Sequence, residues 1–211
     1  MNMAVDLPIR ILVVDDHPLL REGVAAVIET QADMLLAGEA TDGHEAIEAF
    51  RSLRPDVVLM DLQLPGMNGI EAIAAIRREF AAARIVVLTT YRGDVQALRA
   101  FKAGASGYLL KSMLRKELLE TIRCVHGGKR RIPSEIAAEI AEHATDDALT
   151  MRESEVLHHV ALGDANKEVA NDLGISEETV KAHMKSILSK LGAKDRTHAV
   201  TIALRRGIID S

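Results

Sequence analysis

Tryptophan is absent, aromatic residues make up only 2% of the chain, and there is a single cysteine. With so few rings, a surface that stacks unpaired bases on aromatic side chains, as single-strand and many RNA binders use, is excluded, whereas duplex DNA needs no such platform. One cysteine cannot form an internal disulfide, and Cys124, in the setting Thr-Ile-Arg-Cys-Val, reads as the buried side of a helix rather than a reactive thiol. No apolar run comes near the roughly 18 residues that a membrane span requires. The first ten residues, Met-Asn-Met-Ala-Val-Asp-Leu-Pro-Ile-Arg, lack the basic head and long apolar stretch of a secretory signal, so no membrane association and a cytoplasmic location are expected.

What is present is an ordinary globular composition, 48% hydrophobic and 27% charged, over 211 residues. That length exceeds one typical domain of about 100 to 150 residues and suggests two cores. The net charge of −5 would argue against a nucleic-acid partner if it were spread evenly, but it is not. Between Asp164 and Glu178, five acids face Lys167 alone; between Thr179 and Arg196, five bases (Lys181, Lys185, Lys190, Lys194 and Arg196) face Asp195 alone. Positive charge gathered on one short segment is what a phosphate-binding face requires.

Short apolar runs recur at Ile9 to Val14, Met34 to Ala37, Val57 to Met60, Ile85 to Leu88 and Gly107 to Leu110, with helical stretches between them. Near-continuous apolar strands alternating with helices predict a parallel, doubly wound α/β sheet of flavodoxin-like type, with strand order 2-1-3-4-5. Pro18 stands where a first helical residue goes, Gly43 and Gly69 open the next two helices, Gly104 closes the fourth and Gly127 with Gly128 ends the fifth. The expected organisation is a domain over 1–125, a linker over 126–148 and a helical domain over 149–211. The linker is expected to hold a short helix capped by Ser134 and reaching about His143, and a hinge from Ala144.

In an open α/β sheet, chemistry gathers at the carboxyl ends of the strands. Here those ends supply Asp15 and Asp16, Asp61, Thr89 with Thr90, and Lys111 following Tyr108. Three carboxylates brought together repel one another unless a divalent cation sits among them, and hard oxygen ligands suit Mg2+. Phosphoryl transfer needs a nucleophilic oxygen and neutralised phosphoryl oxygens, which assigns Asp61 as nucleophile, Mg2+ and Lys111 as neutralisers and the Thr89 hydroxyl as donor. Taken singly, each residue has another reading: Asp15 or Asp16 as a helix cap, Lys111 as a surface lysine, Thr89 as strand filler, Tyr108 as core edge. Their joint placement at four strand ends favours the site.

Four stretches carry a resemblance: Val-Val-Asp-Asp-His-Pro-Leu-Leu-Arg-Glu-Gly from Val13, Leu-Met-Asp-Leu-Gln-Leu-Pro-Gly-Met-Asn-Gly from Leu59, Val-Leu-Thr-Thr-Tyr from Val87 and Gly-Ala-Ser-Gly-Tyr-Leu-Leu-Lys from Gly104. Residues 9–125 resemble the CheY-like receiver domain of response regulators. The resemblance implies that Asp61 accepts phosphate, that Asp16, Asp61 and the Gln63 carbonyl are Mg2+ ligands with Asp15 acting through water, that Thr89 and Tyr108 form a switch pair, and that Lys111 is the family's lysine. Thr90 stands where many receivers carry a smaller residue, and Gln63 and Tyr91 flank the acceptor.

Beyond Thr150 no strand-like run survives, and four helices are expected at about 151–161, 167–173, 177–190 and 196–206. Thr150-Met151-Arg152-Glu153 is a capping box. The second helix ends at Gly174, and Ile175 and Ser176 lead directly into the third, the pattern of a helix-turn-helix. In the third helix Val180, Met184, Ile187, Leu188 and Leu191 share an inward stripe, while Lys181, Ala182 and Lys185 face out, as a helix entering a major groove needs; lysines at that spacing also occur on plain solvated helices. The runs Leu149 to Leu157 and Asn166 to Leu191 resemble the LuxR-type DNA-binding domain and, with the receiver, the NarL/FixJ response regulators. Met151 replaces the family's usual proline. The resemblance implies that Lys181, Ala182 and Lys185 face bases, that Asn166, Lys167, Thr179, Lys194 and Arg196 position phosphates, and that His183 does either, a buried or capping histidine being the alternative.

The combined expectation is a regulator of transcription and not an enzyme: a histidine kinase phosphorylates Asp61, the chain dimerises, and paired helices bind double-stranded promoter DNA and act on the transcription machinery. An aspartyl-phosphate phosphatase is the rival; such enzymes commonly carry a second acid two residues after the nucleophile, where this chain has Gln63. A receiver serving only as a protein-binding module is the third reading, and the complete acidic set argues against it.

Overall fold

The computed structural model describes residues 7–90, 93–143 and 148–209. They form two compact units, one of residues 7–90 and 97–133 and the other of residues 93–96 and 134–209. The expected hinge from Ala144 and the flanking Tyr91 lie outside the described residues.

The first unit alternates strands and helices as β1 (Ile9–Val14), α1 (Pro18–Glu29), β2 (Met34–Ala40), α2 (Gly43–Leu53), β3 (Val57–Asp61), α3 (Gly69–Glu79), β4 (Ile85–Thr89), α4 (Asp94–Ala103), β5 (Gly107–Leu110) and α5 (Leu114–His126). The strands form one five-stranded sheet in the order β2-β1-β3-β4-β5, the order expected. Every residue of β3, β4 and β5 is buried, because both sheet faces are covered and alternate side chains have no solvent side to reach. On one face Ile9, Ile11, Val13, Leu59, Leu88 and Leu109 pack with Val24 and Ile28 of α1 and Leu118, Ile122 and Val125 of α5. Burying side chains of this size removes about 1.5 to 3 kcal/mol each from exposure to water.

Helix starts follow local chemistry. Pro18 opens α1. Asp42 caps α2 through the amides of His44 and Glu45, and Asn68 caps α3 in a capping box with Glu71. The linker begins on the first unit: Arg131 receives the Tyr108 amide at 2.9 Å and donates its own to Ser106 at 3.1 Å, so it covers the open edge of β5. Two sequence expectations are adjusted. Cys124 is half-buried rather than buried, and Ser134 is the first residue of the linker helix α6 (Ser134–Glu142) rather than its cap.

The second unit continues with α7 (Met151–Leu162), α8 (Asn166–Leu173), α9 (Glu177–Leu191) and α10 (Arg196–Arg206). The Thr150 capping box is formed, so Met151 starts the helix without a proline and points 81% exposed into solvent. Gly174 sits at φ 63°, a left-handed turn that ends α8, and Ser176 caps α9 through the Thr179 amide. Val156, Leu157, Val160, Val169, Val180, Met184, Ile187 and Ala199 form the core.

One buried carboxylate locks α7 to α9. Glu153, 4% exposed, accepts the Thr150 amide at 2.7 Å and Lys190 Nζ at 2.8 Å on one oxygen, and the Ser186 hydroxyl at 2.6 Å on the other. Burial works against its charge, but Lys190, Ser186 and Thr150 outweigh it and bring its pKa down from 4.5 to about 2. Since the folded value lies below the unfolded one, the stabilisation is complete above about pH 4.5 and is lost as pH falls toward about 2. Glu153→Gln is therefore expected to cost the second unit about 2 kcal/mol at pH 7, with the deficit shrinking through pH 4 to 3. Urea unfolding of the full chain at several pH values, followed by helical circular dichroism, checks this; a pH-independent deficit would contradict it.

Candidate phosphoacceptor site and DNA-binding helix

Parallel register assembles the acidic site. Val14 pairs with Met60, so the residues that follow, Asp15 and Asp61, leave adjacent strands side by side. Asp61 pairs with Leu88, which puts Thr89 next, and Thr89 pairs with Leu110, which puts Lys111 next. Asp15, Asp61 and Thr89 are buried, whereas Asp16 is exposed at the mouth.

Lys111 Nζ lies 2.7 Å from Asp15 Oδ2 and 2.7 Å from Asp61 Oδ2, with only 12% of its side chain exposed. Burial raises the Asp61 pKa, while Lys111 pulls it down and Asp15 adds to the rise; the net shift is upward from the ordinary value. Burial likewise opposes the ammonium of Lys111, but Asp15 and Asp61 outweigh it and hold that group above its usual pKa. Asp61 Oδ1 accepts the Gln63 amide at 3.2 Å. The α3 start presses against this strand end: a Cβ on Gly69 would lie 2.0 Å from the Asp61 carbonyl oxygen, so only glycine fits.

Oxygens of Asp15, Asp16 and Asp61 come within 4.8 Å of one another together with a nitrogen of His17. Asp15 Oδ2 is buried with the Lys111 ammonium at 2.7 Å but without a well-directed hydrogen bond, which leaves acceptor capacity turned into the pocket. These hard oxygens fit a divalent cation. Gln63 and Thr90 are exposed, and Tyr108 is fully buried, its ring 6.3 Å from that of Phe101.

Two neighbours escaped the sequence reading. The His17 amide donates to Asp15 Oδ1 at 2.9 Å, and its Nδ1 lies 2.7 Å from Asp16 Oδ1. Arg21 donates to the Asp15 carbonyl at 2.8 Å. Asp15 thus receives the chain at the start of α1 through the His17 amide, although no side chain caps the helix itself. His17, next to Asp16 in the chain, was the more readable of the two.

In the second unit Lys181, Ala182 and Lys185 of α9 are exposed, as are Thr179, Lys167 and Lys194, while His183 is partly buried. Lys181 is paired with Glu178 one turn earlier at 3.1 Å. Arg196 is half-buried and donates to the side chain of Asn166 at 3.4 Å and to the carbonyl of Asp164, so it binds α10 to the start of α8. Lys190, counted among the five bases of the positive segment, points inward to Glu153; it lies three residues from the buried Ile187, at the edge of the apolar stripe. The free positive face of α9 is correspondingly narrower.

Comparison with known proteins agrees with this division. Residues 11–123 match the response regulator receiver domain and residues 147–203 the luxR family of bacterial regulatory proteins. The chain is 42% identical to the uncharacterized transcriptional regulatory protein YxjL of Bacillus subtilis (strain 168), over 95% of this chain and 97% of that one. It is 40% identical to the transcriptional regulatory protein LiaR of the same organism, over 96% of this chain and 100% of that one. The structure of the two-component response regulator RcsB–DNA complex superposes with a TM-score of 0.69 at 25% identity, covering 94% of this chain and 98% of that one. Receiver sheet, acidic pocket and helix-turn-helix together place the chain in the family of two-component response regulators that carry a LuxR-type DNA-binding domain.

Proposed function

We propose that Asp61 is the phosphoacceptor and that its phosphorylation controls dimerisation and DNA binding by the helical domain. The observation that carries this is the Lys111 ammonium held 2.7 Å from both Asp15 and Asp61 where the strands end. A carboxylate oxygen of Asp61 attacks the phosphorus of a histidine kinase's phosphoimidazole, the P–N bond breaks, and the imidazole leaves with a proton. Lys111 then pairs with a phosphoryl oxygen, and the Thr89 hydroxyl donates to another. Asp15, Asp16, Asp61 and the Gln63 carbonyl would hold Mg2+, which supplies further charge neutralisation when bound. Thr89 and Tyr108 carry the change outward. Gln63, lacking an acid two residues after the nucleophile, argues for a regulator rather than a phosphatase, and the absence of any helix long and apolar enough to cross a membrane among the described residues fits a cytoplasmic one.

On DNA, Lys181, Ala182 and Lys185 read base edges, and Asn166, Lys167, Thr179, Lys194 and Arg196 set phosphate contacts, with His183 beside them. A homodimer aligns two such helices on half-sites of promoter DNA about one helical turn apart, from which the transcription machinery is regulated. The working division remains a receiver over 1–125, a linker over 126–148 and a DNA-binding domain over 149–211.

Incubation with an acyl phosphate and Mg2+, followed by intact-mass measurement, is expected to add one phosphoryl group to the chain and none to Asp61→Asn; undiminished labelling of that variant would remove Asp61 from the role. Lys111→Ala is expected to accept the group but to lose phosphate-dependent dimerisation, as read by light scattering, and normal dimerisation would refute the coupling role. Lys181→Ala or Lys185→Ala is expected to weaken binding to a cognate site by about 1 to 3 kcal/mol and to narrow the gap to random DNA. An equal loss on both DNAs, with the salt slope reduced by about one, would reassign that lysine to a phosphate.

A further inference from the structure

The geometry points to a second divalent-cation site, in the DNA-binding domain and independent of the acidic pocket, formed by His159, Asp164 and Asp172. His159 stands in the last turn of α7, Asp164 in the turn after it and Asp172 near the end of α8. His159 Nδ1 lies 2.8 Å from Asp164 Oδ2 and 3.8 Å from Asp172 Oδ2, and one ligand atom from each residue falls within 4.8 Å of the others. Ligands bound at about 2.0 to 2.2 Å in a tetrahedron stand roughly 3.4 Å apart. The two observed separations bracket that value; an ion would replace the hydrogen bond between His159 and Asp164 and, with three side chains bound, would leave a fourth position open.

Charge gives an independent reason. Among the described residues neither carboxylate has a lysine or arginine partner, and both face a single imidazole. With that imidazole neutral the cluster carries two negative charges, which a divalent ion cancels. The side chains are 21%, 29% and 58% exposed, so a water can fill a remaining position. One imidazole nitrogen with two carboxylate oxygens is a borderline donor set that suits Zn2+ or a neighbouring first-row ion better than the all-oxygen preference of Mg2+ or Ca2+.

The scaffold is already set. Gly163 turns at φ 97°, the Asp164 amide donates to the His159 carbonyl at 3.2 Å, and the Asp164 carbonyl accepts from Arg196. An ion here ties α7 to both ends of α8, the helix that begins with Asn166 and Lys167.

Titration calorimetry of the full chain with ZnCl2 tests the site. Because Asp15, Asp16, His17 and Asp61 offer a competing cluster, Asp61→Asn is measured beside wild type. We expect one Zn2+ equivalent that persists in Asp61→Asn, disappears in His159→Ala and weakens at least tenfold in Asp172→Asn. Asp172 is more than half exposed and its replacement is isosteric, so this second variant keeps the helices intact, which circular dichroism verifies. In 1H–15N spectra, Zn2+ should shift amides around Gly163 and the end of α8. Wild-type Zn2+ stoichiometry and affinity in both His159→Ala and Asp172→Asn, or no binding by wild type at millimolar Zn2+, would overturn the site.

Discussion

The ammonium of Lys111 between Asp15 and Asp61 is the contact on which the first unit turns. Two buried carboxylates on adjacent strands repel each other, and taking them out of water costs more still. A single buried cation at 2.7 Å from each offsets both effects and fixes where β5 must end relative to β1 and β3. Removing one partner of such a buried set typically costs about 3 to 5 kcal/mol. The same balance makes the site responsive: any group that adds charge at Asp61 changes what Lys111 must neutralise, and Lys111 starts the turn that leads into α5.

Much of this was readable because parallel sheets expose their logic in sequence. Strands buried on both faces appear as unbroken apolar runs, and Val57 to Met60 or Ile85 to Leu88 could hardly be anything else once helices were placed between them. Strand ends then followed, and with them Asp15, Asp61, Thr89 and Lys111. Errors at the ends were short: β2 runs on to Ala40 because its pairing with β1 continues past a register shift between Ile11 and Leu12, which no local pattern announces.

The second unit was less legible for a different reason. Counting charge along the segment groups Lys190 with the other bases, but its partner Glu153 is 37 residues away, and a contact at that separation leaves no local trace. Glu153 itself read as a cap, which uses one of its oxygens; the Ser186 hydroxyl on the other became visible only after α7 and α9 were packed. Likewise Arg196 was expected among phosphate contacts, whereas in the structure it also braces Asn166 and Asp164. A basic residue in this positive segment can thus be committed to a contact inside its own domain.

The central claim joins the two units: chemistry at Asp61 must change what α9 does on DNA. Its most direct measurement is the affinity of the full chain for a cognate duplex, before and after treatment with an acyl phosphate and Mg2+, at one fixed salt concentration. The account predicts tighter binding after treatment, because dimerisation joins two half-site interactions in one complex, and a matching rise in dimer fraction. Unchanged affinity and oligomeric state in protein shown by mass to be phosphorylated would contradict it.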